Sequence, residues 1–370
     1  MRCRRGNGGL GRAMMVIALA ACLVGLVFRG GIAVAQDAGV PTLHVYADLI
    51  QIPVLVLSKK QERVKPIARE RFSVSLDSGP WFPASHVRLE GNDPISLAIL
   101  VDVHGDESEL MPMAAKVLSG LAPGYLHPND RVSVYGLDCE MVRSEQNAPV
   151  GPLSLKLGVT SVLHSWTARQ VSLSATDQHA DKKRPADCES QIHLWDALTY
   201  MTRQLSDQPG RRVILAMSSG VDGGSKTSWN DLREFAQSTG VAIFGVTYVP
   251  QTVAASLRWS PGAENAFNAM CELTGGVVLL AVPVDLDMQL KRFTEIVRER
   301  YIVEFPRPAH GLPGEHSLQV KIAKSHDMIR PAGISVPIQD AKVMADPSTV
   351  PIDPSTAPEF GTRKVLDIPK

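Results

Sequence analysis

The sequence predicts an α/β fold: a doubly wound, mostly parallel sheet with helices on both faces, and a small β-rich flanking module. Between residues 94 and 299, short apolar runs alternate with longer stretches whose apolar residues recur at helical spacing. On either side of this region, apolar and polar residues alternate at every second position, which is typical of short strands. Strands that alternate with helices indicate a parallel sheet covered on both faces.

The α/β region contains five predicted strands and six predicted helices. Strands are predicted at 95–101, 131–137, 211–219, 241–248 and 277–280, with a hairpin return near 140–144. Helices are predicted at 109–121, 155–169, 193–205, 229–239, 265–273 and 285–299, and 172–190 is a polar loop. The leader at 43–90 contains several short strands, which we expect to pair with strands near 301–305, 316–323 and 333–338.

This pattern divides the chain into five parts. They are a signal peptide (1–35), a β-rich N-terminal module (36–92), the α/β domain (93–300), a C-terminal β segment (301–340) and a Pro/Ser/Thr-rich tail (341–370). The tail repeats the unit DPSTxP, a composition that favours an extended, solvated segment.

The first 35 residues have the layout of a secretory signal peptide. Four arginines precede an apolar run at 13–28, and Ala33, Val34 and Ala35 form a small-residue cleavage site before Gln36. An uncleaved anchor and a lipoprotein signal ending at Cys22 are the alternatives, and they are the only membrane attachments that the sequence suggests. We therefore expect an exported protein of the periplasm, the cell envelope or the medium.

Export would leave Cys139, Cys188 and Cys271 in an oxidising compartment. The sequence does not fix a disulfide. If one forms, the pattern favours Cys139 with Cys188, since both lie just outside predicted elements whereas Cys271 lies in a predicted helix.

The net charge does not favour nucleic acid as a partner. The chain has 38 basic and 38 acidic residues and no net charge, which argues against nucleic acid as the main partner.

The stretch LAILVDVHGDESEL at 97–110 carries the chemistry, because an apolar run ends on Asp102 and then turns polar. Calcineurin-like metallophosphoesterases open with D-x-H-G, in which Asp102 and His104 would bind a metal. The other ligand motifs of that family, G-N-H-[DE] and G-H-x-H, do not occur in this sequence. A metal-dependent hydrolase built on Asp102 and His104 is therefore the alternative and not the main interpretation.

Longer similarities favour another family. The pieces IQIPVLVLSKKQERVKPIARERFSVSLDSGP, DPISLAILVDVHGDESELM, NDRVSVYGLD, HLWDALTYM, RRVILAMSSGVDGGSKTS and RERYIVEFPRP occur in this order between residues 43 and 338. Together they resemble the bacterial VWFA-related family of exported proteins, which contain a von Willebrand factor type A domain. The resemblance implies a von Willebrand A or Rossmann-like fold with a metal-ion-dependent adhesion site (MIDAS) at the carboxyl ends of its strands.

The implied metal site departs from the family pattern. Asp102 matches the first aspartate of D-x-S-x-S and Asp222 the aspartate of the third loop, but His104 and Asp106 replace the two serines. The threonine position falls on Ile192, which cannot bind a metal. Three interpretations remain: a degenerate site, one divalent cation (Mg²⁺, Mn²⁺ or Zn²⁺) bound by Asp102, His104, Asp106 and Asp222, or catalytic use of that cluster.

The sequence therefore predicts a noncatalytic binding protein. Its expected partner is an extracytoplasmic protein or a surface polymer, contacted through loops at the carboxyl end of the sheet. A structural domain of an envelope assembly is the third candidate, after the hydrolase.

Overall fold

The computed structural model describes residues 46–47, 49–103, 109–137, 141–144, 146–176, 193–248, 265–308, 314–336, 341–350 and 357–361. The chain divides into two compact units. The smaller, Met1–Tyr46 with Pro347–Thr349, lies almost wholly outside these residues. The larger unit, Ala47–Asp346 with Val350–Lys370, contains nearly all of the described elements.

The described strands, in chain order, are β1 (Tyr46–Ala47), β2 (Leu49–Leu57), β3 (Phe72–Leu76), β4 (Phe82–Pro83), β5 (His86–Leu89), β6 (Ile95–Asp102), β7 (Arg131–Leu137), β8 (Met141–Arg143), β9 (Ala148–Pro149), β10 (Arg211–Met217), β11 (Val241–Tyr248), β12 (Val278–Ala281), β13 (Tyr301–Pro306), β14 (Gly314–His316), β15 (Leu318–Ile322), β16 (Met328–Pro331), β17 (Ile334–Val336) and β18 (Thr349–Val350). The described α-helices are α1 (Met111–Gly124), α2 (Pro152–Thr176), α3 (Leu194–Ser206), α4 (Trp229–Thr239), α5 (Ala266–Leu273), α6 (Leu286–Arg298) and α7 (Ala341–Ala345), and a 3₁₀ helix covers Arg69–Arg71. None of the helices in these parts of the chain has the length and apolarity that a membrane span requires.

The central sheet has the order β12-β11-β10-β6-β7-β8, and β9 also pairs with β7. The five strands from β12 to β7 are parallel to one another, while β8 and β9 run antiparallel to β7. The chain order of the parallel strands reverses at β6, as in a doubly wound sheet. The predicted fold class is therefore confirmed.

Alternating residues of each central strand feed two different cores, as the pleat of a strand requires. In β6, Leu97, Ile99 and Val101 pack on one face with residues of α1, α2 and α6. Ala98 and Leu100 pack on the other face with residues of α3, α4 and α5. Three described helices thus cover each face, and all eight residues of β6 are buried.

The β-rich module combines strands from both flanks of the α/β domain. One sheet has the order β16-β2-β13-β5 and a second has the order β15-β3-β4. The expected pairing of leader strands with C-terminal strands is confirmed, since β2 pairs with β13 and β16, and β3 pairs with β15. β2 joins the module to the domain, because Ile52 and Val54 lie in the module's core while Leu55 and Leu57 lie in a core of the central sheet.

The predicted tail differs in part from the expectation of a solvated segment. Residues 357–361 lie on the β-rich module: Phe360 bridges to Leu76 and packs on the module's core, and the Gly361 N–H donates to the Leu76 carbonyl at 2.9 Å. A Cβ on Gly361 would lie 2.0 Å from the Asp77 carbonyl oxygen, so only glycine allows this close approach. The composition of the tail gives no indication that Phe360 packs on the β-rich module.

A buried ion pair closes the α/β domain where the chain enters and leaves it. The Arg300 guanidinium donates from Nε and Nη2 to the two carboxylate oxygens of Glu90, each at 2.8 Å, and the side chains are 1% and 0% exposed. The Glu90 N–H also donates to the Arg300 carbonyl at 2.8 Å. This bidentate geometry stabilises each charge only while the other is present.

We predict that Arg300→Met lowers the free energy of unfolding by about 3–5 kcal/mol, because Glu90 is left as a buried, uncompensated charge. Chemical denaturation measures the effect. The double variant Glu90→Leu/Arg300→Met should recover part of the loss. Arg88→Met, which removes a far more exposed pair with Asp93, is the control and should cost at most about 1 kcal/mol. A double variant no more stable than Arg300→Met would contradict this prediction.

Candidate functional site at the carboxyl edge of the sheet

The candidate site lies where β6 and β10 end side by side. The loop after β6 leads towards β7 on one side, whereas the loop after β10 leads towards β11 on the other. Ligands of open α/β sheets bind in the crevice that such a reversal opens at the carboxyl ends of the strands. The sequence placed Asp102 and Asp222 at this edge, and the structure agrees.

Asp102, the last residue of β6, is fully buried and bonded to the neighbouring strand. The Ser218 Oγ–H donates to Asp102 Oδ2 at 2.7 Å, and Ser218 is also fully buried. Ser218 Oγ in turn accepts from the Gly220 N–H at 3.1 Å, while the Ser218 carbonyl accepts from Thr247 Oγ1 at 2.9 Å. Ser218 thus supplies a donor that a buried carboxylate requires.

Gly220 turns the loop away from the sheet. Its φ is +81°, and a Cβ at this position would lie 2.4 Å from the Cβ of Phe267 in α5. Both the left-handed backbone and the close approach require glycine. The turn directs residues 221–228 towards the start of α3.

Asp222 caps helix α3 from another loop. Its Oδ1 accepts from the Trp195 N–H at 3.1 Å and from Ser225 Oγ at 2.5 Å, and its Oδ2 accepts from the Ser225 N–H at 3.4 Å. The N-cap residue of α3, His193, makes no capping bond with its own side chain. Asp222 therefore satisfies a free N–H of the first turn, at the positive end of the helix dipole.

Asp196 makes the reciprocal contact from the helix to the loop. Its carboxylate accepts from the Lys226 N–H at 3.0 Å and the Thr227 N–H at 2.8 Å, while its own N–H donates to Ser225 Oγ at 3.1 Å. Burial raises the pKa of Asp196, but these backbone hydrogen bonds outweigh it and leave the pKa below its ordinary value. We call this arrangement of Asp196, Asp222 and Ser225 the carboxylate clasp.

The predicted metal ligands are only partly described. Asp102 and Asp222 lie at the same edge, but their carboxylates accept hydrogen bonds from Ser218, Trp195 and Ser225. Within the described residues, no group of three or more Asp, Glu, His or Cys side chains could hold a metal ion. His104, Asp106 and Ile192 lie outside the described residues, so the four-ligand set stays a prediction.

The structure describes some of the other residues singled out by the sequence and not others. Cys271 is buried in α5, as its helical pattern predicted, and its burial raises the pKa of the thiol well above the ordinary value. Cys139, Cys188 and the predicted signal peptide (1–35) lie outside the described residues. Trp195 is 8% exposed and belongs to the core of one sheet face.

Sequence reasoning missed the capping role of Asp222 and did not identify residues 225–227 as the partners of Asp196. A D-x-x-S spacing at Asp222 and Ser225 signals a local turn, and an acidic residue at the start of a helix favours its positive end. Neither signal reveals that the loop containing Asp222 and Ser225 contacts the start of α3. Their contact depends on the packing of α3 against the central sheet.

Comparisons with known proteins found distant structural similarity and no family. No family model matches the sequence, and no curated protein matches it. Solved structures do match. Proximal thread matrix protein 1 (PTMP1) from the mussel byssus is 9% identical with a TM-score of 0.41, over 60% of this chain and 51% of that one. The conserved hypothetical protein BatB from Bacteroides thetaiotaomicron is 13% identical with a TM-score of 0.35, over 55% of this chain and 98% of that one.

A third match, the N-terminal domain of TFIIH p34, is 15% identical with a TM-score of 0.35, over 54% of this chain and 96% of that one. One crystal structure of the mussel protein has a zinc-occupied MIDAS motif. The present chain spans about half the length of that mussel protein. Similarity at these identities concerns the fold alone.

We predict that Asp222→Ala lowers the free energy of unfolding by about 1–3 kcal/mol, because the Trp195 N–H and the Ser225 hydroxyl lose their acceptor. Urea denaturation measures the loss. Asp287→Ala is the matched control, since Asp287 is an exposed acidic residue in the first turn of α6. Its removal should cost only the charge–dipole contribution of about 0.3–1 kcal/mol. Equal losses in the two variants would show that the clasp adds nothing beyond that contribution.

We also predict that the purified chain holds well below one divalent cation per molecule, because the clasp engages both oxygens of Asp222. Elemental analysis by plasma mass spectrometry measures the cation. Thermal unfolding should be unchanged by EDTA or by added Mg²⁺, Mn²⁺ or Zn²⁺. A stoichiometric cation that Asp102→Asn removes would instead establish a metal site that includes Asp102.

Proposed function

We propose that the chain is an exported, noncatalytic binding protein built on a von Willebrand factor type A-like domain. It contacts an extracytoplasmic protein or a surface polymer through loops at the carboxyl edge of the central sheet. Its metal site is degenerate or altered. The observation that carries the proposal is the carboxylate clasp, which holds the loop after β10 on helix α3 at the edge where such folds bind ligands.

The clasp favours binding because it fixes the loop before any partner arrives. A loop that is already ordered loses little conformational entropy when it is bound. Val221, between Gly220 and Asp222, is 57% exposed at this position. An exposed aliphatic side chain on a fixed loop suits a contact with another macromolecule.

Two further observations support a noncatalytic role. The Ser218 hydroxyl donates to Asp102 and accepts from Gly220, so it serves the structure of the edge. Asp222, a member of the predicted cluster, is engaged as a helix cap. Export is supported by the signal-peptide layout of residues 1–35.

The test places a photo-crosslinking amino acid at position 221 of the chain in the cells that export it. We expect one major crosslinked partner, identified by mass spectrometry. The control is the same amino acid at Leu153, which is 69% exposed and follows β9, at the opposite edge where β7 begins. Position 153 should give no such adduct.

Three results would overturn the proposal. No adduct at position 221 would show that this edge contacts no partner, and the same adducts at both positions would indicate a domain that is packed generally within an assembly. Cation-dependent turnover of a generic phosphoester that Asp102→Asn abolishes would establish the hydrolase instead.

A further inference from the structure

The connection between β2 and β3 concentrates positive charge. Residues 58–71 contain six basic and two acidic residues, although the whole chain has no net charge. The six are Lys59, Lys60, Arg63, Lys65, Arg69 and Arg71. All but Arg71 are exposed. A run of this kind is often only a solvated surface, so its tertiary surroundings decide what it can do.

Helix α6 extends the positive surface across a groove. A groove of about 590 Å³ separates the segment from α6, with Lys60 and Arg63 on one wall and Lys291 and Arg292 on the other. The Arg292 guanidinium donates to the Gln61 carbonyl at 2.5 Å, which holds the two walls together. Gln61 has a φ of +60°, so the turn has a fixed and unusual backbone. We call this the basic groove.

The positive charge of the basic groove is only partly cancelled. Arg63 pairs with Glu299 at 2.8 Å, and Lys291 lies 3.9 Å from Glu295. The residues that line the groove carry four positive and three negative charges, and the rest of residues 58–71 adds an excess of three, so the groove and its adjoining segment together keep an excess of four positive charges. Such an excess creates a local field that attracts anions despite the neutral total.

Backbone carbonyls, which are neutral, hold three of the guanidinium groups, and Arg69 donates to the Ser85 carbonyl at 2.8 Å. Arg71 donates to the carbonyls of Ala323 and Lys324 at 2.7 and 3.2 Å, and Arg292 donates to Gln61. Carbonyl acceptors fix the direction of a guanidinium group without neutralising it, and they leave other N–H groups of its fork available. These arginines therefore keep their positive charge while their side chains are held in one direction.

We propose that the basic groove binds a linear acidic polysaccharide. A concave groove that continues along an extended segment fits a chain with repeating anionic groups, and binding would release condensed counterions as it does for other polyanions. A lipid surface is a poorer fit, because stable membrane binding usually adds apolar residues that insert. Of the large exposed apolar side chains among the described residues, only Met288 lines the groove.

An exposed indole supplies a neutral contact beside the charge. Trp81 is 48% exposed, and the Lys321 ammonium lies 5.7 Å from its ring centroid. Lys321 pairs with Ser73, which follows Arg71 by two residues at the end of the basic segment. The flat apolar face of an indole can pack against the C–H face of a pyranose ring. The choice of polysaccharide over nucleic acid rests on the proposed export; the groove shares no residue with the carboxylate clasp.

The experiment measures binding of the full chain to dextran sulfate and to polygalacturonate by titration calorimetry at several salt concentrations. We expect binding that weakens as salt rises, and none to neutral dextran. Lys60→Glu/Lys65→Glu should lower affinity for both polyanions by about tenfold or more and flatten the salt dependence. The matched control, Lys116→Glu/Lys156→Glu, makes the same charge change at exposed lysines of α1 and α2 and should retain affinity. Trp81→Ala should weaken polygalacturonate binding without changing its salt dependence.

Equal losses in the two double variants would overturn the proposal, since binding would then follow net charge and not the groove. So would tighter binding to phosphatidylglycerol vesicles, or to duplex DNA, than to either polysaccharide. Absence of binding to both polyanions at physiological salt would also overturn the proposal. Denaturation curves confirm that each variant folds. The crosslink at position 221 should persist in Lys60→Glu/Lys65→Glu, so failure here is distinct from failure of the proposed function.

Discussion

The burial of β6 between β7 and β10 is the constraint on which the rest of the molecule depends. A strand buried on both faces must present apolar side chains on each, and the chain must therefore supply helices above and below it. The polar residue that ends the strand must find a partner, which Ser218, directly after the neighbouring strand β10, provides. Because the chain leaves β6 and β10 in opposite directions, the same arrangement opens the crevice and brings the loop after β10 to the start of α3. Position and chemistry of the candidate site are thus consequences of strand order.

Much of this architecture could be predicted from local pattern. The strands at β7 and β11 and the helix at α4 have the predicted bounds, and the regular part of α1 stops at Leu121 as expected, since Ala122 precedes a proline and is not helical. Helix α2 is longer than predicted, at Pro152–Thr176, because its later residues lack an apolar stripe that periodicity could detect. Glu90 and Arg300 lie 210 residues apart, and nothing near either residue in the sequence indicates that they form a buried pair.

The candidate site shows the same division between local and distant information. Asp102 and Asp222 were found from their positions after apolar strands, which is information that the sequence contains. That Asp222 accepts from Trp195, and that Asp196 accepts from Lys226 and Thr227, depends on two segments about 30 residues apart being brought together by the sheet. The basic groove was not predicted either. The total charge of the chain is zero, and only the folded chain places Lys291 and Arg292 opposite residues 58–71.

The β-rich module is completed only by strands that follow the α/β domain, and this has a kinetic consequence. Gln51 of β2 meets Glu304 of β13 across 253 residues, so β2 has no partner from that flank until the intervening chain has been synthesised. Closing so long a loop in an unfolded chain is entropically costly and slow. Once the domain has folded, Glu90 and Arg300 are adjacent, and the same closure becomes local. The folding of the domain thus acts as the template on which the module assembles, and during that interval β2 is the exposed apolar strand that a chaperone would have to protect.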